Sequence, residues 1–177
     1  MTRVRFYENA ADKLLKFAVI ISRYQNKYVF CKHRDRDTWE VPGGHREPGE
    51  DITDTARREL YEETGALEYD LSPVCVYSVT APDNFDGAET FGMLYFADIK
   101  RFEAELHSEI EKITLTECLP ERLTYPDIQP VLMKEAARRR HLSDVRAIRS
   151  SHSVCEPPGV HICPESPLLR KALPPQI

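Results

Sequence analysis

The chain has 177 residues, of which 41% are hydrophobic and 30% are charged, and its formal net charge is −5. This length fits one compact domain with a short extension, and no apolar run approaches the ~20 residues that cross a bilayer. The acidic balance argues against broad binding to nucleic acids or membranes. Five scattered cysteines, an odd number, argue against a disulfide framework, so we expect a cytoplasmic protein.

Apolar periodicity predicts strands that alternate with two helices. The predicted strands, in chain order, are 17–22, 28–33, 39–41, 73–80, 91–99 and 110–115. The third is short and is expected to stop at Pro42-Gly43-Gly44. One helix is predicted over 52–64, ended by Gly65, and a second begins near Pro126. This order indicates a mixed α/β layered domain.

The composition changes after Leu142. Six of the 13 prolines lie in 157–177 and no periodicity is visible there, so we expect a domain over 1–142 and a Pro-rich tail over 143–177. Two histidines and two cysteines of the tail have no zinc-ligand spacing and are interpreted as unliganded: His152, Cys155, His161 and Cys163. Three tail leucines leave open whether the tail packs on the domain or on a second subunit in a homodimer: Leu168, Leu169 and Leu173.

The predicted helix over 52–64 carries an unusual set of acids. At about 100° per residue, Glu59 and Glu63 fall beside the apolar stripe, and Glu62 lies further round. Acids normally lie opposite that stripe, because burying an unpaired charge is costly. One interpretation is a solvated acidic helix. The other, which the glycine-rich approach favours, is a site for a hard cation such as Mg²⁺ or Mn²⁺.

The stretch from Gly44 to Ala66 resembles the Nudix box. Gly44, then Glu50, then Arg58-Glu59-Leu60, then Glu62-Glu63 and Gly65 reproduce that pattern without a gap. "TWEVPGG" just before it is similar to the MutT-like branch of the family. The looser resemblance runs from about residue 17 to 140 and leaves the tail uncovered.

The resemblance implies a fold, a reaction class and a set of roles. The fold is an α/β/α sandwich around a mixed β-sheet, and the reaction is hydrolysis of a nucleoside diphosphate linked to another group with Mg²⁺, or Mn²⁺, as cofactor. The implied metal ligands are Glu59, Glu62, Glu63 and the Gly44 carbonyl. Arg58 would hold the helix acids, with Glu50 bracing the loop through it. The general base is left open between Glu62, Glu63 and Glu109.

The substrate is less constrained. Three basic residues are candidates for binding phosphates: Lys32, Arg34 and Arg36. Three aromatic residues are candidates for stacking on a base: Trp39, Phe85 and Tyr125. The resemblance adds Asp127 and Gln129 as candidates for contacting the base. We favour a nucleoside triphosphate, with an oxidised purine such as 8-oxo-dGTP as one form. Three alternatives stay open: hydrolysis at RNA 5′ ends, hydrolysis of ADP-ribose or dinucleoside polyphosphates, and a non-catalytic nucleotide-sensing module.

Overall fold

The computed structural model describes residues 1–82, 87–104, 106 and 109–140. The tail expected over 143–177, with its four His and Cys residues, therefore lies outside the described residues, and so does Phe85. The elements in chain order are β1 (Arg3–Tyr7), β2 (Leu15–Tyr24), β3 (Lys27–His33), β4 (Gly43–His45), α1 (Ile52–Thr64), β5 (Ala66–Thr80), β6 (Thr90–Phe102), β7 (Ile110–Thr116) and α2 (Gln129–Arg140). Neither described helix has the length and apolar content to cross a membrane.

The described strands form one mixed sheet in the order β1-β5-β6-β2-β3-β7, and β4 pairs with β2 beside this path. β2 and β6 run parallel, whereas the other pairs are antiparallel. The turn between β2 and β3 uses two residues with positive φ, Gln25 and Asn26. Such a turn matches the right-handed twist of a hairpin.

Alternation along β2 builds one core on each face of the sheet. Ala18 and Ile20 belong to the cluster that contains Leu60 of α1, whereas Ile21 belongs to the cluster that contains Leu132 of α2. Side chains two apart on a strand share a face, so one strand serves both helices. The expected α/β/α sandwich with a mixed sheet is confirmed.

Helix α1 is fixed at both ends by local chemistry. The Asp51 side chain accepts a hydrogen bond from Thr53 N at 2.8 Å, an N-cap of the usual kind. Gly65 adopts φ 69°, and its N–H donates to Tyr61 O at 2.7 Å. The predicted bounds and the glycine stop are therefore confirmed, and the two caps fix where the helix begins and ends.

Three expectations about elements need correction. In place of the strand expected over 39–41, Glu40 forms an isolated bridge with Cys31 and Trp39 forms one with Leu123. The glycines expected to stop it form β4 instead, because a Cβ on Gly43 would lie 2.6 Å from Ala18 O and only glycine permits that approach.

Helix α2 begins at Gln129 and not near Pro126. The intervening residues form a turn in which Tyr125 O accepts from the N–H groups of Ile128 and Gln129. β1 and the first half of β5 were missed altogether. Both alternate polar and half-buried residues and lack the apolar run that predicts a strand.

Candidate active site

The acids of helix α1 face the sheet at its β4 edge. Glu59 and Glu63 are 9% and 7% exposed, and they share the buried side of the helix with Ile52 and Leu60. The Glu62 side chain is 46% exposed. The helical phase predicted from the sequence therefore places two carboxylates inside the protein and one at its rim.

Arg58 joins these acids to the preceding loop. Its guanidinium donates to Glu59 Oε1 at 2.7 Å and Glu62 Oε2 at 3.2 Å, and to both oxygens of Glu50 at 2.9 and 3.1 Å. It also donates to His45 O at 3.0 Å. This forked contact holds the pKa of Glu50 down to about 2. One cation thus serves three carboxylates and one strand end.

Glu59 lies directly over Gly44. A Cβ on Gly44 would come within 2.1 Å of Glu59 Oε1, so the carboxylate occupies the space that any other residue would need. Burial raises the pKa of Glu59, and its neighbours Glu62 and Glu63 add to the rise, although Arg58 opposes it. Negative charge is therefore in excess at this position.

Glu63 is held differently, by groups that the sequence did not single out. Gly43 N donates to Glu63 Oε2 at 2.8 Å, and His33 Nε2 lies 3.0 Å from Glu63 Oε1. His33 Nε2 is also 3.2 Å from Glu40 Oε1. The hydrogen bond to Glu63 is the main cause that raises the pKa of His33, whereas burial raises the pKa of Glu40.

A divalent cation fits the chemistry of this edge. In the described part of the chain, no three Asp, Glu, His or Cys side chains converge into a ready-made metal cage. Glu59 and Glu62 nevertheless each direct only one oxygen to Arg58, and carboxylate oxygens are the donors that Mg²⁺ and Mn²⁺ prefer. The excess negative charge at Glu59 is what a bound cation would neutralise.

An apolar cleft of about 160 Å³ opens on the opposite side of the same glycines. Its walls come from β2, β4, β5 and the start of α2, and its lining includes Phe17, Gly44, Tyr77, Tyr125 and Gln129. Gln129 is 3% exposed, and its Oε1 is one of two buried side-chain oxygens without a partner among the described residues. The cleft is thus mostly apolar, and the Gln129 oxygen in its wall has no hydrogen-bond partner among the described residues.

The structure separates the other sequence candidates. Arg36 donates to both oxygens of Glu40 at 3.0 and 3.3 Å, and Arg34 is exposed on the loop after β3. Trp39 packs against the core on the α2 face, and Asp127 is exposed. Neither residue lines the cleft. Glu109 is 84% exposed, 3.7 Å from His33 Nδ1.

Comparisons with known proteins agree on the family. A NUDIX domain model matches residues 13–139. The chain is 32% identical over 122 residues to a Bacillus subtilis (strain 168) protein named "Putative 8-oxo-dGTP diphosphatase YtkD", spanning 68% of this chain and 74% of that one.

Solved structures show the same fold. The Bacillus subtilis pyrophosphohydrolase BsRppH is 26% identical, with a TM-score of 0.63, over 77% of this chain and 90% of its own. The NUDIX domain of Shewanella oneidensis NrtR, crystallised with ADP ribose, is 14% identical with a TM-score of 0.55, over 71% of this chain and 88% of its own. The second likeness concerns the fold alone.

Proposed function

Because the chain belongs to the Nudix family of hydrolases, we propose that it cleaves a nucleoside triphosphate to the monophosphate and pyrophosphate with the help of a divalent cation. Nudix hydrolases generally use divalent metal ions. Mg²⁺ is the proposed ion here, and Mn²⁺ would serve in its place, because both take oxygen ligands in similar geometry.

One observation carries the proposal: the acid edge and the apolar cleft meet at the same two glycines. Glu59 lies over Gly44, Glu63 accepts from Gly43 N, and both glycines line the cleft. A substrate with an aromatic, weakly polar end and a polyanionic end would fit across this junction. A nucleoside triphosphate has that shape and charge distribution.

The residues that would hold the metal are Glu59, Glu62, Glu63 and the Gly44 carbonyl. A bound cation would neutralise the phosphates and act as a Lewis acid on the phosphorus under attack. The protein's part is to hold the acids still, since a positioned charge needs no reorganisation during reaction. Arg58 does this for Glu59 and Glu62 with its two short contacts.

Proton transfer from the attacking water is proposed for Glu62. Both oxygens of Glu63 already face donors from other elements, whereas Glu62 is half-exposed and has one oxygen outside its contact with Arg58. A general base must reach its proton directly or through one water. Glu109 is the second candidate because it is exposed near the same edge.

The cleft supports a purine as the base. Its apolar walls suit an aromatic ring, Tyr125 lies at the rim, and Gln129 Oε1 would accept an N–H of the ring edge. An 8-oxopurine carries an extra N–H at N7, which agrees with the name of the 32% identical relative. Tyr125 and Gln129, which line the cleft, are therefore better placed to contact the base than Trp39 and Asp127, which do not line it.

The phosphate end would lie toward the basic loop after β3. Arg34 is exposed there, and Arg36 is half-exposed beside Glu40. A guanidinium forks onto phosphate oxygens as it does onto carboxylates. Arg34 is the proposed phosphate contact, because Arg36 is already engaged.

The test is a hydrolysis assay over a substrate panel, with nucleotide products and pyrophosphate separated by anion-exchange chromatography, because ADP-ribose and dinucleoside polyphosphates are cleaved without release of free phosphate or pyrophosphate. The panel contains dGTP, 8-oxo-dGTP, ADP-ribose, a dinucleoside polyphosphate and a 5′-triphosphorylated RNA, each with Mg²⁺, Mn²⁺ or EDTA. We expect pyrophosphate from 8-oxo-dGTP above dGTP, and none in EDTA. Faster cleavage of the RNA would reassign the enzyme to RNA 5′ ends, and binding without cleavage of any member would indicate a nucleotide sensor.

A further inference from the structure

Glu63 is the acid of α1 whose orientation is set from outside the helix. Its side chain is 10% exposed, Oε2 accepts from Gly43 N at 2.8 Å, and Oε1 lies 3.0 Å from His33 Nε2. An ionised carboxylate can only accept hydrogen bonds. His33 must therefore carry its proton on Nε2 to make this contact.

His33 reaches Glu63 because of its place at the end of β3. Cys31 and His33 are two apart, so both project toward α1, and Cys31 indeed belongs to the core cluster on that face. The intervening Lys32 points away and pairs with Glu111 at 2.7 Å. The strand thus directs His33 to the acid edge and Lys32 to its other face, where Lys32 pairs with Glu111.

The imidazole is itself kept in place by a second buried acid. Glu40 is 6% exposed and lies 3.2 Å from His33 Nε2. Arg36 donates to both Glu40 oxygens and so supplies the countercharge that Glu40 requires. Because Arg36 already pairs with Glu40, His33 can direct its Nε2 proton to Glu63. Its Nε2 is 3.0 Å from Glu63 Oε1 and 3.2 Å from Glu40 Oε1.

We propose that His33 is a positioning residue for metal binding, which fixes the Glu63 carboxylate from behind while Glu40 and Arg36 fix the imidazole. This inference rests on the proposed function, because it assigns Glu63 to the metal site. Removing an outer partner of a metal ligand typically costs about 10–100-fold in metal affinity. His33 would touch neither substrate nor phosphate and would act only through Glu63.

Two amide substitutions test the contact with matched chemistry. In His33→Gln the amide nitrogen takes the place of Nε2 and can still donate to Glu63. In His33→Asn the nitrogen takes the place of Nδ1 and falls short. Both variants are uncharged and polar, so a difference between them reports reach alone. Lys27→Gln, at the other end of the same strand, is the control.

The primary measurement is Mn²⁺ affinity without substrate, by electron paramagnetic resonance of the free ion, alongside melting temperature. We expect His33→Asn to bind Mn²⁺ about 10-fold or more weakly, with His33→Gln and Lys27→Gln within about threefold of the wild type. Turnover of His33→Asn should fall while its KM for the nucleotide stays unchanged. In a Glu63→Gln background, the difference between Asn and Gln should disappear.

Equal Mn²⁺ affinity for the Asn and Gln variants would overturn the assignment of His33. A wild type that binds no Mn²⁺ would overturn both this inference and the proposed function. A wild type that binds Mn²⁺ but cleaves no nucleotide would overturn the proposed function alone, since the Asn and Gln comparison is made without substrate.

Discussion

The two faces of the sheet differ in the kind of group that would complete them. On the α1 face, buried and half-buried carboxylates outnumber the cation among them, Arg58. On the α2 face, the cleft is mostly apolar, and the amide oxygen of Gln129 has no partner among the described residues. The first face lacks positive charge, whereas the second lacks a hydrogen-bond donor.

This difference separates chemistry from selection. Excess negative charge calls for a cation and hence for a reaction at phosphate, whatever base is attached. An unpaired acceptor in an apolar slot discriminates between bases and does little to the bond that breaks, because a site with a buried polar group rejects a ligand that leaves it unpaired. The glycine strand β4 connects the two, so substitutions on each side should affect different kinetic constants.

The largest expected effect is on the α1 face, in Glu62→Gln. Turnover should fall by about 10²–10⁴, the usual contribution of a positioned proton acceptor. Melting temperature of the metal-free protein should hold or rise, because like charges on one helix repel by a few tenths of a kcal/mol. The measurement is kcat for the best nucleotide together with a thermal melt.

Asp54→Asn is the matched control, because Asp54 lies on the same helix, is exposed and pairs with Arg57 at 2.8 Å, away from the acids that Arg58 joins. Its turnover should equal that of the wild type. If Glu62→Gln kept its turnover, the acid edge would be a structural feature and the division between the faces would fail.

The junction itself is tested by a pair of glycine substitutions. A Cβ on Gly44 would collide with the end of the Glu59 side chain, which can swing away, whereas a Cβ on Gly43 would meet the backbone oxygen of Ala18 at 2.6 Å. Gly44→Ala should therefore keep its fold but lose turnover by about 10-fold or more, through a displaced carboxylate.

Gly43→Ala should instead lose stability, by about 1–3 kcal/mol as for other overpacked positions. Denaturant unfolding and kcat measured on both variants give the comparison. Loss of stability in Gly44→Ala with normal turnover would mean that the position of the Glu59 carboxylate over Gly44 does not matter for catalysis.

On the α2 face, Gln129→Leu should change selection and leave turnover nearly intact. Losing one hydrogen bond of about 1–1.5 kcal/mol raises the KM for the preferred base roughly 10-fold. The substitution removes a buried oxygen that has no partner among the described residues, and with it an unmet desolvation cost, so the melting temperature should change little. KM over the nucleotide panel measures the effect.

Ser22→Ala provides the control for that substitution. Ser22 Oγ is the other buried side-chain oxygen without a partner among the described residues, and it lies away from the cleft. This variant should match Gln129→Leu in stability and the wild type in KM. If both variants shifted KM alike, the effect would come from the core and not from the cleft.

The sequence predicts the acid face far better than the cleft. The phase of α1 follows from a fixed turn angle, so spacing alone places Glu59 and Glu63 on the buried side. The box pattern adds Arg58 and Gly44, because its residues are consecutive on one loop and one helix. Local spacing is enough wherever a site is built from one continuous segment.

The partners of Glu63 and the cleft come from distant strands, and spacing cannot bring them together. His33 is a lone histidine at a strand end, and nothing in the sequence shows that it faces Glu63, 30 residues later. The cleft joins β2, β5 and α2. Spacing along the chain therefore does not separate Tyr125 and Gln129, which line the cleft, from Trp39 and Asp127, which do not. Strand order, which sequence periodicity does not contain, decides both cases.

The smallest expected effect on catalysis is in Glu50→Gln, which removes the brace behind the acid face and acts mainly on stability. Arg58 donates to both oxygens of Glu50, and Thr55 Oγ1 donates to one of them at 2.7 Å. Losing the charged partner should cost about 1–3 kcal/mol of unfolding free energy at neutral pH. Turnover should fall only slightly, since Arg58 keeps its contacts with Glu59 and Glu62.

The pH dependence of the unfolding free energy shows whether Glu50 acts through its charge. The pKa of Glu50 is about 2 in the folded protein against an ordinary 4.5, so the folded state favours the ionised form. Its contribution to stability is complete above about pH 5 and is lost as the pH falls toward 2. The difference in unfolding free energy between wild type and Glu50→Gln should therefore shrink steadily from pH 5 to pH 3 in denaturant titrations.

Glu68→Gln, which removes the exposed pair with Arg101, should show almost no difference from the wild type at any pH. A gap between wild type and Glu50→Gln that stayed constant down to pH 3 would mean that Glu50 acts through packing rather than through its charge on Arg58.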